Sequence, residues 1–237
     1  GVSINKNNFS SYKLALACDP VSAFGGIVSC NYKINKKLAL ELKKIFFEVI
    51  ICKSIDNDAL KILKVKKNLR IIDASRFNDN NVQNILSFSN NILIQSLDNF
   101  FLSKSNFKVV SEKKPNLKIF KNLIFSFNVC RFVKSNSIVI SNKDSTIGIG
   151  SGQPSRLDSC EIAINKMKKF HKEKLDDQII AASDAFFPFV DGFEKLVQAG
   201  VSAIIQPYGS IKDKEIIRFA NKTNTILVFS KTRHFRH

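Results

Sequence analysis

Residues 179–206 read IIAASDAFFPFVDGFEKLVQAGVSAIIQ, beginning at Ile179 and ending at Gln206. The runs 179–182 and 203–206 are short and largely apolar, as in strands covered on both faces. Between them, 192–199 places Phe193, Leu196 and Val197 at helical spacing. Strand, helix and strand in that order specify an α/β fold with a buried sheet.

The alternation continues outward. Further strands are expected at 26–30, 49–52, 69–73, 92–96, 137–141, 146–149 and 226–229, and further helices at 9–17, 36–46, 58–65, 118–133, 154–171 and 213–222. The stretch 97–116 is polar and turn-rich, and Pro115 restricts the residue before it. This divides the chain into a first part, 1–96, a linker, 97–117, and a second part, 118–237. The two parts share an echo, since Ala17-Cys18-Asp19 and Ala182-Ser183-Asp184 are each followed by a Phe five positions after the Asp.

With 237 residues, 44% of them hydrophobic, the chain is able to bury a full core. No apolar run approaches the ~20 residues that span a bilayer, and residues 1–8 lack the pattern of a signal peptide. Cys18, Cys30, Cys52, Cys130 and Cys160 are scattered and form no metal knuckle or redox pair. They read as reduced thiols in a cytosolic chain, with no membrane association. The net charge is +17. Clustered basic residues would suit nucleic acid, but the lysines are dispersed, and the dense stretches 61–67 and 166–174 read as exposed helix faces without interleaved aromatics. A basic nucleic-acid-binding module is therefore the alternative reading, and no nucleic-acid partner is expected.

Two stretches carry chemistry. In the first, 134–140 reads KSNSIVI and 148–156 reads GIGSGQPSR, with Gly148, Gly150 and Gly152 at alternate positions before a helix. Such glycines allow backbone N–H groups to approach a ligand, and the helix start adds positive potential. In the second, 183–192 reads SDAFFPFVDG at the end of a buried strand, where open α/β sheets present ligands. Pro188 stiffens that loop, leaving aromatics to wall a flat heterocycle, and Asp191 suits a helix N-cap. At least one of Phe186, Phe187 and Phe189 belongs to the core. The last residues, 233–237, read RHFRH.

Together with DPVSAFGGI at 19–27, these stretches resemble the AICAR transformylase domain of the bifunctional purine-biosynthesis enzymes, which also carry IMP cyclohydrolase. The resemblance covers nearly the whole chain, most specifically at 18–28, 134–156 and 183–237. It implies an α/β three-layer sandwich built from two cytidine-deaminase-like halves, the first incomplete here. It implies transfer of a formyl group from the cosubstrate 10-formyltetrahydrofolate to the nucleotide AICAR, in the cytoplasm, by a homodimer with sites at the subunit interface. A structural monovalent cation is compatible with it. No other metal is expected, because the zinc signature of true deaminases is missing.

By the same resemblance, Asn136 would orient the formyl group, its amide offering donor and acceptor. Val21, Phe24, Arg156, Pro188, Phe189 and Asp191 would line the folate pocket. Gly25, Glu48, Phe186, Arg233 and Phe235 would bind AICAR, with Arg233 on the phosphate and Glu48 near the ribose hydroxyls. His237 would be ordered. Departures from the pattern are Val190, where the family usually has Arg, and Cys52-Lys53 in place of a small residue and proline. The family's catalytic Lys-His pair precedes a Gly-Val like Gly1-Val2 and is not among these residues, so little or no turnover is expected from this chain alone.

Overall fold

The computed structural model describes residues 1–77, 83–100, 102, 104–171 and 178–236. In chain order the elements are α1 (Asn8–Ala17), β1 (Gly26–Ile34), α2 (Lys36–Leu42), β2 (Phe47–Ile55), α3 (Asn57–Lys64), β3 (Arg70–Asp73), β4 (Gln83–Phe88), β5 (Asn91–Ser96), β6 (Phe107–Val109), α4 (Leu117–Cys130), β7 (Ile138–Asn142), β8 (Ser145–Gly150), α5 (Arg156–Phe170), β9 (Ile179–Ser183), α6 (Val190–Gln198), β10 (Val201–Pro207), α7 (Asp213–Lys222) and β11 (Ile226–Ser230). The helix starts are written in the sequence. Asn7, Asn35, Asn116 and Ser155 each cap a helix by accepting a bond from a backbone N–H of its first turn.

Two compact units result, one of Gly1–Asp19 with Leu102–His237, the other of Pro20–Phe101. These bounds differ from the sequence division at 96 and 117. Residues 1–4 explain the difference, because they pair with the β8 region: Val2 N donates to Thr146 Oγ1 at 2.8 Å, Thr146 N to the Val2 carbonyl at 2.9 Å and Ile4 N to the Asp144 carbonyl at 2.9 Å. The stretch 97–117 also contains structure, for Phe107–Val109 forms β6, antiparallel to β11. Phe107 stands edge-on to Phe120 and Phe127, which ties that stretch to the core.

The larger unit holds a mixed sheet in the order β6-β11-β10-β9-β7-β8. Its central strands β9, β10 and β11 are parallel, while β7 runs antiparallel to β9. Ile138, Ile140, Ala181, Ile204 and Leu227 face α5, α6 and α7, packing on Cys160, Ala163, Met167, Phe193, Leu196 and Ile216. Their alternates Val139, Ile180, Ala182, Ala203, Ile205 and Val228 face α4, packing on Leu123, Phe127 and Cys130. Helices thus cover both faces, as the continuous apolar runs required. The smaller unit has a parallel sheet, β1-β2-β3, with Leu38, Leu42, Ile50 and Leu63 buried, and a separate β4-β5 antiparallel pair. The α/β class expected from sequence is what the chain adopts.

Two details correct the sequence reading. The helix expected at 36–46 ends at Leu42, because the Phe46 carbonyl accepts the Gly25 N–H at 2.8 Å and Phe47 already opens β2. Gly148 and Gly150 serve packing rather than ligand approach: a Cβ on them would lie 2.2 Å from the Ala163 carbonyl oxygen and 1.9 Å from that of Ser159. Helix α5 is pressed against β8 and only glycine leaves room. Gly152, at φ +68°, is the one of the three that the turn itself requires. Among the described residues no helix is long and apolar enough to cross a membrane.

Two measurements check this packing. Gly150→Ala is expected to lower the unfolding free energy in urea by about 1–3 kcal/mol, because overpacking must move a backbone atom of α5. The five cysteines are buried and free, and burial pushes each thiol up, that of Cys160 to about 12. Raised thiols stay protonated at pH 8, so iodoacetamide should modify none of them in the folded chain and all five in urea, read by mass spectrometry.

Candidate functional site

In the larger unit, antiparallel pairing of Ile138 with Ser183 and of Ile138 with Gly150 sets three segments side by side. They are the entry to β7, the exit of β8 and the exit of β9. The chain end joins them. Ser135 N donates to the Arg236 carbonyl at 2.9 Å, Arg236 N to Ser135 Oγ at 3.1 Å, and His234 N to the Asp184 carbonyl at 3.0 Å. Asn136, the 150–156 turn, the 183–191 loop and residues 231–236 therefore share one edge of the sheet, at the carboxyl ends of its parallel strands.

At this edge Asn136 is held on all sides. Its Nδ2 donates to the carbonyls of Gln153 and Pro154, both at 2.9 Å, and its Oδ1 accepts from Arg156 Nη2 at 2.8 Å. Its backbone N–H donates to the Gln153 carbonyl at 3.1 Å and its own carbonyl accepts from Ser159 Oγ at 2.8 Å. Two carbonyls on one side and a guanidinium on the other fix which end of the amide is nitrogen.

Arg156 is the first residue of α5, and its side chain is 9% exposed. Through Nη1 it donates to Ser183 Oγ at 2.8 Å and to the Oδ1 of Asp184, whose side chain has no exposure at all. Asp184 Oδ2 in turn accepts from Ser137 N at 3.1 Å. The sequence left Asp184, Ser183 and the buried His234 without a role. Asp184 carried no local signal, because a carboxylate just past a strand ordinarily meets water; its burial is what makes a cationic partner necessary. Beneath it, burial pushes the Cys130 thiol up and the Asp184 charge adds to the effect.

The 183–191 loop divides as expected. Phe187 is core, edge-on to Phe193 at 6.0 Å, while Phe186 is half-buried and Pro188 and Phe189 are exposed, Phe189 by 60%. Val190 opens α6 and packs against the core, so an apolar side chain suits that position. Asp191 is not the N-cap, which is Phe189; it lies in the first turn, where its Oδ1 accepts the Gly192 N–H at 2.7 Å. Arg233 is exposed, its guanidinium 5.4 Å from the centre of the Phe235 ring. His234 packs its ring 4.4 Å from that of Phe127. His237 lies outside the described residues.

Val21, Phe24, Gly25 and Glu48 belong to the smaller unit. They lie around the amino-terminal ends of β1 and β2, which pair at Gly26 and Phe47. Val21 and Phe24 are exposed by 66% and 71%, and Phe24 tilts against Phe46 at 5.4 Å. Gly25 sits at φ +71°, a conformation that favours glycine. Glu48 Oε2 accepts from Arg70 Nη1 at 3.1 Å, a partner the sequence reading did not assign. Among the described residues no group of three His, Cys, Asp or Glu side chains is placed to hold a metal ion.

The profile described as "AICARFT/IMPCHase bienzyme" matches residues 1–166. A bifunctional purine biosynthesis protein PurH from Caldicellulosiruptor saccharolyticus is 43% identical over the whole chain, one from Leptospira biflexa 39%, and one from Buchnera aphidicola 41%. The chain spans 45%, 46% and 45% of their respective lengths, under half in each case.

The ion pair makes a stability prediction. Asp184→Ala strands the Arg156 guanidinium away from water and should cost about 3–5 kcal/mol in urea unfolding, whereas adding Arg156→Met to the same variant should return most of that loss. Additive losses in the two-residue cycle would mean that the pair is not coupled.

Proposed function

The chain belongs to the AICARFT/IMPCHase bienzyme family, and from that premise we propose that it supplies folate-side and nucleotide-side residues for formyl transfer from 10-formyltetrahydrofolate to AICAR. The observation that carries the reading is the Asn136 carboxamide, half-buried at the strand ends and fixed through both its nitrogen and its oxygen. A group held this firmly suits orientation of a small reacting group, where proximity lowers the barrier by roughly 7–11 kcal/mol in favourable cases.

The other roles follow from chemistry at each position. Phe186, Pro188, Phe189 and Asp191 offer a stiff, aromatic wall with one carboxylate for the heterocycles, and Val21 and Phe24 offer exposed apolar surface. Arg233 presents an exposed planar cation beside the Phe235 ring, suited to a nucleotide phosphate. Glu48 keeps an oxygen for ribose hydroxyls beyond its bond to Arg70. Arg156 has committed three of its five N–H groups within the protein, and those that remain are its means of reaching folate. Gly25 leaves open space beside its backbone for AICAR. We read the two compact units as the counterparts of two cytidine-deaminase-like halves, and the assembly as a homodimer with its sites at the interface.

A structural monovalent cation fits the neighbourhood of Asp184, where the buried Ser137 hydroxyl and a buried carboxylate supply hard oxygen donors. Such an ion would add positive charge beside the carboxylate and brace the entry to β7. The net charge of +17 is the observation on the side of nucleic-acid binding. It predicts affinity that collapses with salt and ignores folate.

The test is calorimetric titration of the purified chain with a non-transferable 10-formyltetrahydrofolate analogue, alongside formyl-transfer assays of the full-length protein. Asn136→Ala should lower transfer by about 100-fold, the scale of a misplaced reacting group. Arg156→Ala should weaken analogue binding. Unchanged transfer in Asn136→Ala would overturn the assignment.

A further inference from the structure

Asn136 reaches its neighbours through a chain of groups that passes from full burial toward solvent. Asp184 is wholly enclosed, Arg156 nearly so and Asn136 about half so. The carboxylate uses each oxygen on a different target: Oδ1 takes Arg156, and Oδ2 takes the backbone N–H of Ser137, the residue next to Asn136. Asp184 thus grips Asn136 twice, through the guanidinium and through the adjoining peptide.

A buried ion pair contributes little to stability over apolar packing of the same volume, and its attested use is to specify one arrangement. The arrangement specified here is an amide orientation. With both Nδ2 hydrogens on the carbonyls of Gln153 and Pro154, and one lone pair of Oδ1 on Arg156, the polar capacity left to Asn136 is the second lone pair of Oδ1. That capacity accepts a hydrogen bond and donates none.

We propose that Asp184, acting through Arg156, is a positioning residue that locks the Asn136 carboxamide with its oxygen as the free acceptor, so that Asn136 receives an N–H of the attacking amine rather than donating to the formyl oxygen. This rests on the formyl-transfer reading for the identity of the amine; the locking does not. Freed from Arg156, the amide is able to rotate and offer a donor, and the site loses its distinction between the amine and a carbonyl.

Two readouts separate the claims. In the ligand-free chain, the Asn136 side-chain amide should give a resolved, slowly exchanging pair of NMR signals. Asp184→Asn should shift them and speed their exchange. In the full-length protein the same variant should lower kcat by about 10- to 100-fold, the usual loss when a supporting partner is removed, with KM for the nucleotide within about twofold. Arg156→Lys should produce the same signal changes as Asp184→Asn, because a single ammonium nitrogen cannot occupy the positions of both Nη1 and Nη2. Should Asp184→Asn fold poorly, Ser183→Ala, which removes one Arg156 acceptor, should produce the same signal changes on a smaller scale. Unmoved Asn136 signals in a folded variant would overturn the locking. Moved signals with unchanged kcat would keep the locking and sink the catalytic use of it.

Discussion

Everything at the carboxyl edge of the larger sheet depends on finding a partner for one carboxylate. Asp184 directly follows the largely buried strand β9 and its side chain has no exposure, so its charge has no water to turn to. Arg156 answers it from the first turn of α5, whose start the Ser155 cap sets. The glycines of β8 let that helix lie close against the sheet, and the guanidinium reaches Asp184 from there. The chain end is drawn in as well, since the backbone carbonyl of Asp184 holds His234.

The sheet and most helices were legible in the sequence because apolar periodicity is a direct record of burial. The strand of residues 179–182 and the helix of 213–222 read correctly for that reason. Phe107–Val109 did not, because a three-residue edge strand leaves too short a pattern to stand out from polar surroundings. The placement of residues 1–19 with the far end of the chain was also invisible, since backbone pairing across more than a hundred residues leaves no local trace.

The candidate site was legible by motif and misread in part by mechanism. Alternating glycines look the same whether they admit a ligand or a helix, and only the positions of the Ala163 and Ser159 carbonyls tell the two apart. Asn136 and Arg156 were singled out separately, but their bond to each other was not foreseeable from spacing. Asp184 was overlooked because an acidic residue in a loop ordinarily faces water. Its burial is a property of the tail folding back, which the sequence does not announce.

The pairing of Val2 with Thr146 has a temporal meaning. The smaller unit, Pro20–Phe101, is continuous along the chain, whereas the larger one is assembled from two separated pieces. During synthesis at roughly 5–20 residues per second, residues 2–4 wait on the order of ten seconds for Asp144 and Thr146 to emerge. In that interval residues 20–101 are free to fold as a local unit while residues 2–4 lack the partners they hold in the finished fold. The growing chain therefore carries a period of vulnerability, to proteolysis or to pairing with a neighbouring nascent chain, that the finished fold no longer displays.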